Sequence, residues 1–320
     1  MSINYNHLAK PFFVLAPMDD VTDIVFRDVV EKVSPPDLFF TEFTSVDGLD
    51  SVGRERVIEK LRRNKNSSVP IIAQIWGKDP ELYAKAARDC VDLGFDGIDI
   101  NMGCPEKGIV ARGCCGGLIG DYDTAKAIIE AVKSNAKDLP VSVKTRIGLR
   151  TIITDEWFSF LLKQDLAAIT VHGRTVKEMS KVPAHWDEIK KVVKLRDSIS
   201  PKTIIIGNGD IQSRENGIQL AEYSGVDGLM IGRGIFSDIF FFEVDKLDHE
   251  PAEMIKILLD HLDRFERDDK PKKSFQALKK FFKIYVSEWS GSHELRTKLM
   301  ETNTPEEVRS ILDPILANKS

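Results

Sequence analysis

The sequence predicts an α/β protein, a (β/α)8 TIM barrel followed by a small all-helical C-terminal domain. Three features of the 320 residues carry that prediction. Eight short apolar runs alternate with longer segments of helical periodicity. The ends of those runs carry polar residues. Past Phe242 the strand pattern stops.

The runs are Phe12–Leu15, Leu38–Thr41, Ile71–Ile75, Gly97–Ile100, Val141–Thr145, Ala168–Val171, Thr203–Ile206 and Gly228–Ile231. Their hydrophobicity is continuous rather than alternating, as in parallel strands buried on both faces. Between them, Pro80–Leu93, Tyr122–Ala136 and Asp155–Gln164 place apolar residues at three- and four-residue steps, the period of an amphipathic crossover helix. Eight strand–helix repeats are the count of a closed barrel, whereas an open doubly wound sheet more often stops at about five or six strands.

Pro17-Met18, Glu42, Gln74, Asn101, Lys144 with Arg146, His172, Asn208 and Arg233 each end or follow one run. In barrels the reacting groups gather where strands hand over to loops. A purely structural rim has no need of polar or special residues at every strand end, so the pattern points to an enzyme.

From Pro251 to Ile315 the chain reads as helices alone, over Met254–Arg267, Ser274–Trp289, His293–Met300 and Pro305–Leu312. Thr304 before Pro305 is a helix start, with threonine as cap and proline in the first turn. The expected domains are 1–245 for the barrel and 246–320 for the helices, joined near Lys246–Pro251.

Hydrophobic residues are 42% and charged residues 30%, ordinary for a globular protein. No apolar run approaches the roughly 18 residues of a membrane helix. The first residues lack a signal peptide's basic start and cleavage site, so a cytoplasmic protein without a membrane role is expected. Cys90, Cys104, Cys114 and Cys115 are too few for a disulfide framework in a chain of this size. None stands at CxxC spacing or at ligand spacing from a histidine, so no metal is expected.

The net charge of −5 points away from a nucleic-acid binder, and any RNA role must rest on a local patch. The tail supplies one. Lys270, Lys272, Lys273, Lys279, Lys280, Lys283, Arg296 and Lys298 face only Glu288 and Glu294, with Phe275, Phe281, Phe282, Tyr285 and Trp289 interleaved. Phosphate contacts with a salt-dependent affinity fit this pattern, and so does a helix with an aromatic core face and a solvated lysine face.

Chemistry concentrates in five places. The glycine-rich segments GNGDI (Gly207–Ile211) and IGRG (Ile231–Gly234) follow strands seven and eight, where barrels commonly bind phosphate through backbone N–H groups. Arg233 would add a bidentate partner. Lys144, in VKTRIG, suits a Schiff base, a phosphate clamp, a cation beside a flavin, or a rim ion pair with Glu42 or Asp210. Gln74 can both donate to and accept from the amide edge of an isoalloxazine. His172, with Arg174 just after it, suits an acid, base or donor. Cys104, followed by Pro105 directly after a strand, is placed for reactivity: a protonated thiol over a flavin can deliver a proton to carbon while hydride arrives from the other face. Cys90, inside a predicted helix, reads as core; Cys114 and Cys115 read as structural members of a glycine-rich loop.

LAPMDDVTD (Leu15–Asp23), FTEF (Phe40–Phe43), AQIWG (Ala73–Gly77), DINMGCP (Asp99–Pro105), VKTRIG, VHGRT (Val171–Thr175), GNGDI and IGRG stand in order along nearly the whole chain. Together they resemble the tRNA-dihydrouridine synthase family, whose members use FMN and NADPH to saturate the C5–C6 bond of chosen uridines in tRNA. The resemblance implies Cys104 as the acid that protonates C5 while hydride goes to C6. It implies Pro17, Met18 and Asp19 beside the flavin ring and Gln74 and Lys144 on its polar edge. Asn208, Gly209, Asp210, Gly232 and Arg233 would hold the ribityl phosphate. His172, Asn101 and Arg146 would touch flavin or uracil, with Arg174, Lys279, Lys280 and Lys283 on the substrate side. The target base must leave its stack, because C5 and C6 are otherwise out of reach. The chain departs from the pattern in three places: Asp20 stands where the family usually has glycine, Glu178 where it often has glutamine, and His185 where aspartate often precedes Trp186.

Other classes share some of these features. An FMN barrel reducing a small molecule needs the phosphate loops but not the basic tail. A tRNA-binding protein without catalysis needs the tail but not Cys104. A lyase would use Lys144 as a Schiff base. With tRNA as the expected partner, no protein partner is implied and a monomer is expected.

Overall fold

A computed structural model describes residues 2–245, 247–268 and 273–317. The chain divides into two compact units, one of Met1–Asp23 with Pro36–Gly232, the other of Ile24–Pro35 with Arg233–Ser320.

The first unit is built on parallel strands β1 (Phe12–Leu15), β2 (Leu38–Phe40), β3 (Thr44–Ser45), β4 (Ile71–Trp76), β5 (Gly97–Met102), β6 (Val141–Arg146), β7 (Ala168–His172), β8 (Ile204–Asn208) and β9 (Gly228–Ile231). Neighbours run β2-β1-β9-β8-β7-β6-β5-β4, and a β2–β4 pairing closes the ring into an eight-stranded barrel; β3 is a two-residue addition on the end of β4. The (β/α)8 expectation holds, with strand limits within a few residues of the apolar runs. Phe12, Val14, Phe40, Ile72, Ile206 and Met230 form its buried core, with Tyr5 packed against them. Burial on both faces is why these strands lack alternation.

Helices α1 (Ile24–Val33), α2 (Pro80–Asp92), α3 (Tyr122–Asn135), α4 (Thr154–Leu162), α5 (Trp186–Ile199) and α6 (Arg214–Ser224) follow β1, β4, β5, β6, β7 and β8. Local chemistry sets their limits. The Asp79 carboxylate accepts from the Glu81 N–H with Pro80 in the first turn, and α2 buries Tyr83, Ala86, Ala87 and Cys90, spaced for one face. Asp121 caps α3, which buries Ala125, Ile128, Ile129 and Val132 in the same spacing. Ser213 starts α6 and left-handed Gly225 ends it. Beneath the barrel, buried Asp227 accepts from Arg196 at 2.7 Å, from the Ile205 N–H at 2.8 Å and from Lys10 at 2.6 Å.

In the second unit α1 packs on α7 (Pro251–Arg267). Phe26 stacks on Phe281 at 4.8 Å, and His261 shares a 2.8 Å hydrogen bond with the Tyr285 hydroxyl. Lys32 pairs with Asp260 at 3.0 Å. Helices α8 (Phe282–Tyr285), α9 (Ser292–Glu301) and α10 (Pro305–Ala317) complete it, with Thr304 capping α10 as expected. The compact units therefore do not part at 245/246: α1 and the segment from Arg233 group with the C-terminal helices, because Val25, Phe26, Val29 and Val30 are buried apolar residues of α1.

One expected helix is not continuous. Ser274–Trp289 breaks into 3-10 turns at Phe275–Ala277 and Lys279–Phe281 and then α8. Leu278, Lys279, Phe281, Phe282, Ile284, Tyr285 and Val286 are all buried. Those positions circle a straight helix rather than lining one face, so a single helix could not bury them against one partner surface. Among the described residues no helix is long and apolar enough to cross a membrane.

Candidate functional site

Parallel register sets the polar strand ends side by side at the mouth of the barrel. Gln74 pairs with Asp99, Asn101 with Lys144, Arg146 with His172, and His172 with Asn208.

A hydrogen-bond chain runs from the barrel interior to the cysteine loop. Fully buried Asp99 accepts from the Ser142 hydroxyl at 2.6 Å and from Gln74 Nε2 at 2.7 Å. Burial pushes its carboxyl up to about 6 despite those two donors. Gln74 Oε1 in turn accepts from Asn101 Nδ2 at 3.0 Å, and Asn101 Oδ1 accepts from the N–H groups of Gly103 and Cys104, both at 3.0 Å. Asn101 thus spends its amide on shaping the turn that carries Cys104. Gln74 is oriented at both ends of its amide and retains one N–H.

Cys104 is half-buried, and the Cys115 thiol favours its thiolate form. That thiol, the Glu106 backbone and the Arg146 charge outweigh burial and bring Cys104 down to about 7. Cys115, fully buried, is pushed up by Cys104 and by burial. Cys114 is buried in the loop with its thiol raised, and Cys90 is a core residue of α2, also raised by burial.

Lys144 meets Asn208 Oδ1 at 3.4 Å, and Asn208 Nδ2 donates to the Met230 carbonyl at 2.7 Å. Neither Glu42 nor Asp210 pairs with it: Glu42 accepts from the Asp20 N–H at 2.6 Å, and Asp210 accepts from Arg174 and, at 2.8 Å, from the Ala184 N–H. Burial and then the Arg146 charge lower Lys144 to about 8. Arg146 is buried and donates to the carbonyls of Gly103 at 2.8 Å, Thr175 at 3.1 Å and Met179 at 3.0 Å. Its guanidinium binds protein, fastening the cysteine loop to the β7 loop. Buried Arg174 donates to Val182 at 2.6 Å and lies 3.2 Å from His172 Nε2. At Gly209, φ is 129° and a Cβ would come within 2.7 Å of Ala184, so only glycine fits beside His172. A Cβ at Gly232 would meet nothing closer than Ala16 at 4.0 Å, leaving that strand end open.

A family model described as dihydrouridine synthase (Dus) matches residues 14–320. The chain is 45% identical over 312 residues to the probable tRNA-dihydrouridine synthase 2 of Bacillus subtilis (strain 168), covering 97% of this chain and 95% of that one. It is 45% identical over 313 residues to the probable tRNA-dihydrouridine synthase of Staphylococcus epidermidis (strain RP62A), with 97% and 95% covered. The Staphylococcus aureus (strain COL) protein of that name is also 45% identical, over 314 residues, with 97% and 94% covered. This chain belongs to the dihydrouridine synthase family.

The departures from the dihydrouridine synthase pattern have structural explanations. Asp20 sits at φ 58, the left-handed conformation that a glycine adopts freely. Glu178 and His185 contact each other, His185 Nε2 lying 3.2 Å from Glu178 Oε1, while the other Glu178 oxygen accepts from the Thr175 N–H at 2.8 Å. Two positions that differ from the family in sequence therefore form one pair in space. Around β1, the Met18 N–H donates to the Thr22 hydroxyl at 2.9 Å, and the Met18 side chain packs on the barrel core beside Pro17. Asp19 is exposed and pairs with Lys60, its carboxylate lying with those of Asp20 and Glu42 within 4.8 Å.

Arg233, directly after β9 and Gly232, is exposed and opens a 3-10 turn. In the tail, Lys280 and Lys283 are exposed, but Lys279 is buried and its ammonium donates to the Met300 carbonyl at 2.8 Å in the last turn of α9. It therefore neutralises a helix C-terminus instead of presenting charge to solvent. Lys270 and Lys272 lie outside the described residues. Sequence reasoning missed Asp99, Ser142 and Cys115 as members of the site. A carboxylate inside the buried run Gly97–Ile100 was the signal for the first; the contact between Cys104 and Cys115 had none.

Proposed function

We propose that this dihydrouridine synthase reduces the C5–C6 bond of specific uridines in tRNA with FMN and NADPH, acting as a cytoplasmic monomer. The observation that carries the reading is Cys104: a part-exposed thiol at the barrel mouth, held by Asn101 and Arg146, with an acidity near neutral.

The site fits a flavin phosphate and ring. Lys144 is a cation in the barrel mouth whose hydrogen-bond partner is an amide, leaving its charge available to an electron-rich edge. Gln74 offers its remaining N–H, and the strand ends at Gly209 and Gly232 leave backbone approachable. Pro17, Met18, Asp19, Gln74, Lys144, His172, Asn208, Gly209, Asp210, Gly232 and Arg233 would hold FMN, which when bound supplies the hydride for C6.

The protein's own part is binding, orientation and the proton. Cys104 holds a proton on its sulfur for C5, and an acid near the working pH both carries that proton and releases it readily. The Cys115 thiol stabilises the thiolate left behind. The positive charges of Arg146 and Arg174 favour an anionic substrate strand near the mouth, although their hydrogen bonds go to protein. The uridine must be extruded to reach the thiol. In the second unit, Lys280 and Lys283 would contact phosphates.

Incubating tRNA with the protein and NADPH should add about two mass units for each uridine modified. Cys104→Ala should abolish or greatly slow that gain. Equal product from the two proteins would refute the role given to Cys104.

A further inference from the structure

The loop after the catalytic turn contains one conformational oddity. Cys115 lies at φ 49, a left-handed conformation that costs a residue with a side chain about 1 kcal/mol or more. Glycines stand at 113, 116 and 117, yet this left-handed position is filled by a residue with a side chain. What glycine would lack there is a thiol, and this thiol favours the thiolate form of Cys104. The two segments are fastened together: the Gly116 N–H donates to the Cys104 carbonyl at 3.2 Å. A Cβ at Gly116 would come within 2.8 Å of that oxygen and 2.7 Å of Val176. Solvent reaches Cys104 only in part, and Cys115 is fully buried.

We propose that Cys104 and Cys115 form a site of reversible oxidative modification, closing to an intrachain disulfide when a peroxide reaches Cys104. The Cys104 thiolate attacks one peroxide oxygen and the O–O bond breaks, giving a sulfenic acid and hydroxide. The Cys115 sulfur then attacks the sulfenic sulfur; its proton and the sulfenic hydroxyl leave as water. Two thiols lose two electrons in all, and the peroxide accepts them. A dithiol reverses the change. The raised acidity of Cys104 in its resting site assists the first step by supplying thiolate at neutral pH. The pair protects the more reactive sulfur, because a neighbouring thiol intercepts the sulfenic acid before a second peroxide does. The cross-link itself is independent of the function proposed above; only its effect on turnover rests on that reading.

The test treats the full-length flavin-loaded protein with hydrogen peroxide and follows intact mass and tryptic peptides. Lys107 and Arg112 lie between the two cysteines, so a joined peptide reports the bond. Wild type and Cys114→Ser should each lose about 2 Da, regained with dithiothreitol. Cys115→Ser, which keeps a hydrogen-bond donor, should instead gain about 32 Da at Cys104, with no recovery. The proposal is overturned if Cys115→Ser still forms the bond, or if wild type passes straight to the heavier product. A cross-linked wild-type protein that still modified tRNA at full rate would support the couple and overturn the role of Cys104 as the acid.

Discussion

Replacing Asn101 tests whether its amide builds the cysteine turn. Its oxygen serves two N–H groups and its nitrogen serves Gln74, each at 3.0 Å, in a residue only 5% exposed. Asn101→Ala deletes all three bonds, worth about 1 kcal/mol each net, and leaves two buried donors and the Gln74 carbonyl short of a partner. A total loss of about 4 kcal/mol follows, which at about 3 °C per kcal/mol for a barrel of this size lowers Tm by ~12 °C. Asn101→Asp keeps the acceptor for both N–H groups and loses only the bond to Gln74, so it should cost about 1–2 kcal/mol. Its added negative charge beside Cys104 should also raise the pH at which that thiol becomes alkylated by iodoacetamide. Thermal melts by tryptophan fluorescence and the alkylation rate against pH read the two effects separately. An alanine variant melting within about 2 °C of wild type, with its alkylation profile unchanged, would refute the idea that this side chain organises the turn.

Three further outcomes follow from the same geometry. Lys144 binds its proton less tightly in the fold than in the unfolded chain, so between about pH 8 and 10.5 the unfolded chain holds more protons and stability rises with pH. In flavin-free protein, Lys144→Met should flatten that rise and add up to about 3 kcal/mol at neutral pH; a melt-against-pH curve identical to wild type would count against a buried cation there. At the base of the barrel, burial pushes the Asp227 carboxyl up, but the Ile205 N–H, Lys10 and Arg196 together hold it below the ordinary range. That stability is present above the unfolded carboxylate value and is lost as pH falls through the folded one. Arg196→Ala, which takes one of two cations from buried Asp227 and leaves Lys10 and the Ile205 N–H, should cost about 2–3 kcal/mol in urea unfolding, and a loss below about 1 kcal/mol would deny the pair that role. For the tail, Lys280→Ala with Lys283→Ala should weaken tRNA binding and reduce the steepness of its salt dependence by about one to two ions, while Lys279→Ala should chiefly lower stability. Equal salt slopes in wild type and the double variant would place the phosphate contacts elsewhere.

Barrel architecture and most of the mouth could be read from the amino acids alone. Strand positions were legible because a parallel strand covered on both faces must be apolar throughout, and Phe12–Leu15 or Ala168–Val171 leave no other reading in that alternation. Cys104, Lys144, His172 and Asn208 were legible because polar groups in such a chain cluster where strands end. Those are local signals, one residue against its immediate neighbours. What tertiary structure decided was which atoms meet. Asn101 and Arg146 turned out to spend their hydrogen bonds on the loop that holds Cys104, and Lys279 on a helix end, because a long polar side chain takes the nearest unsatisfied carbonyl or N–H that folding delivers. The contact of Cys115 with Cys104, and of Glu178 with His185, joins residues that no periodicity relates. The grouping of α1 with the C-terminal helices is of the same kind, since an apolar helix face shows that it is covered but not by what.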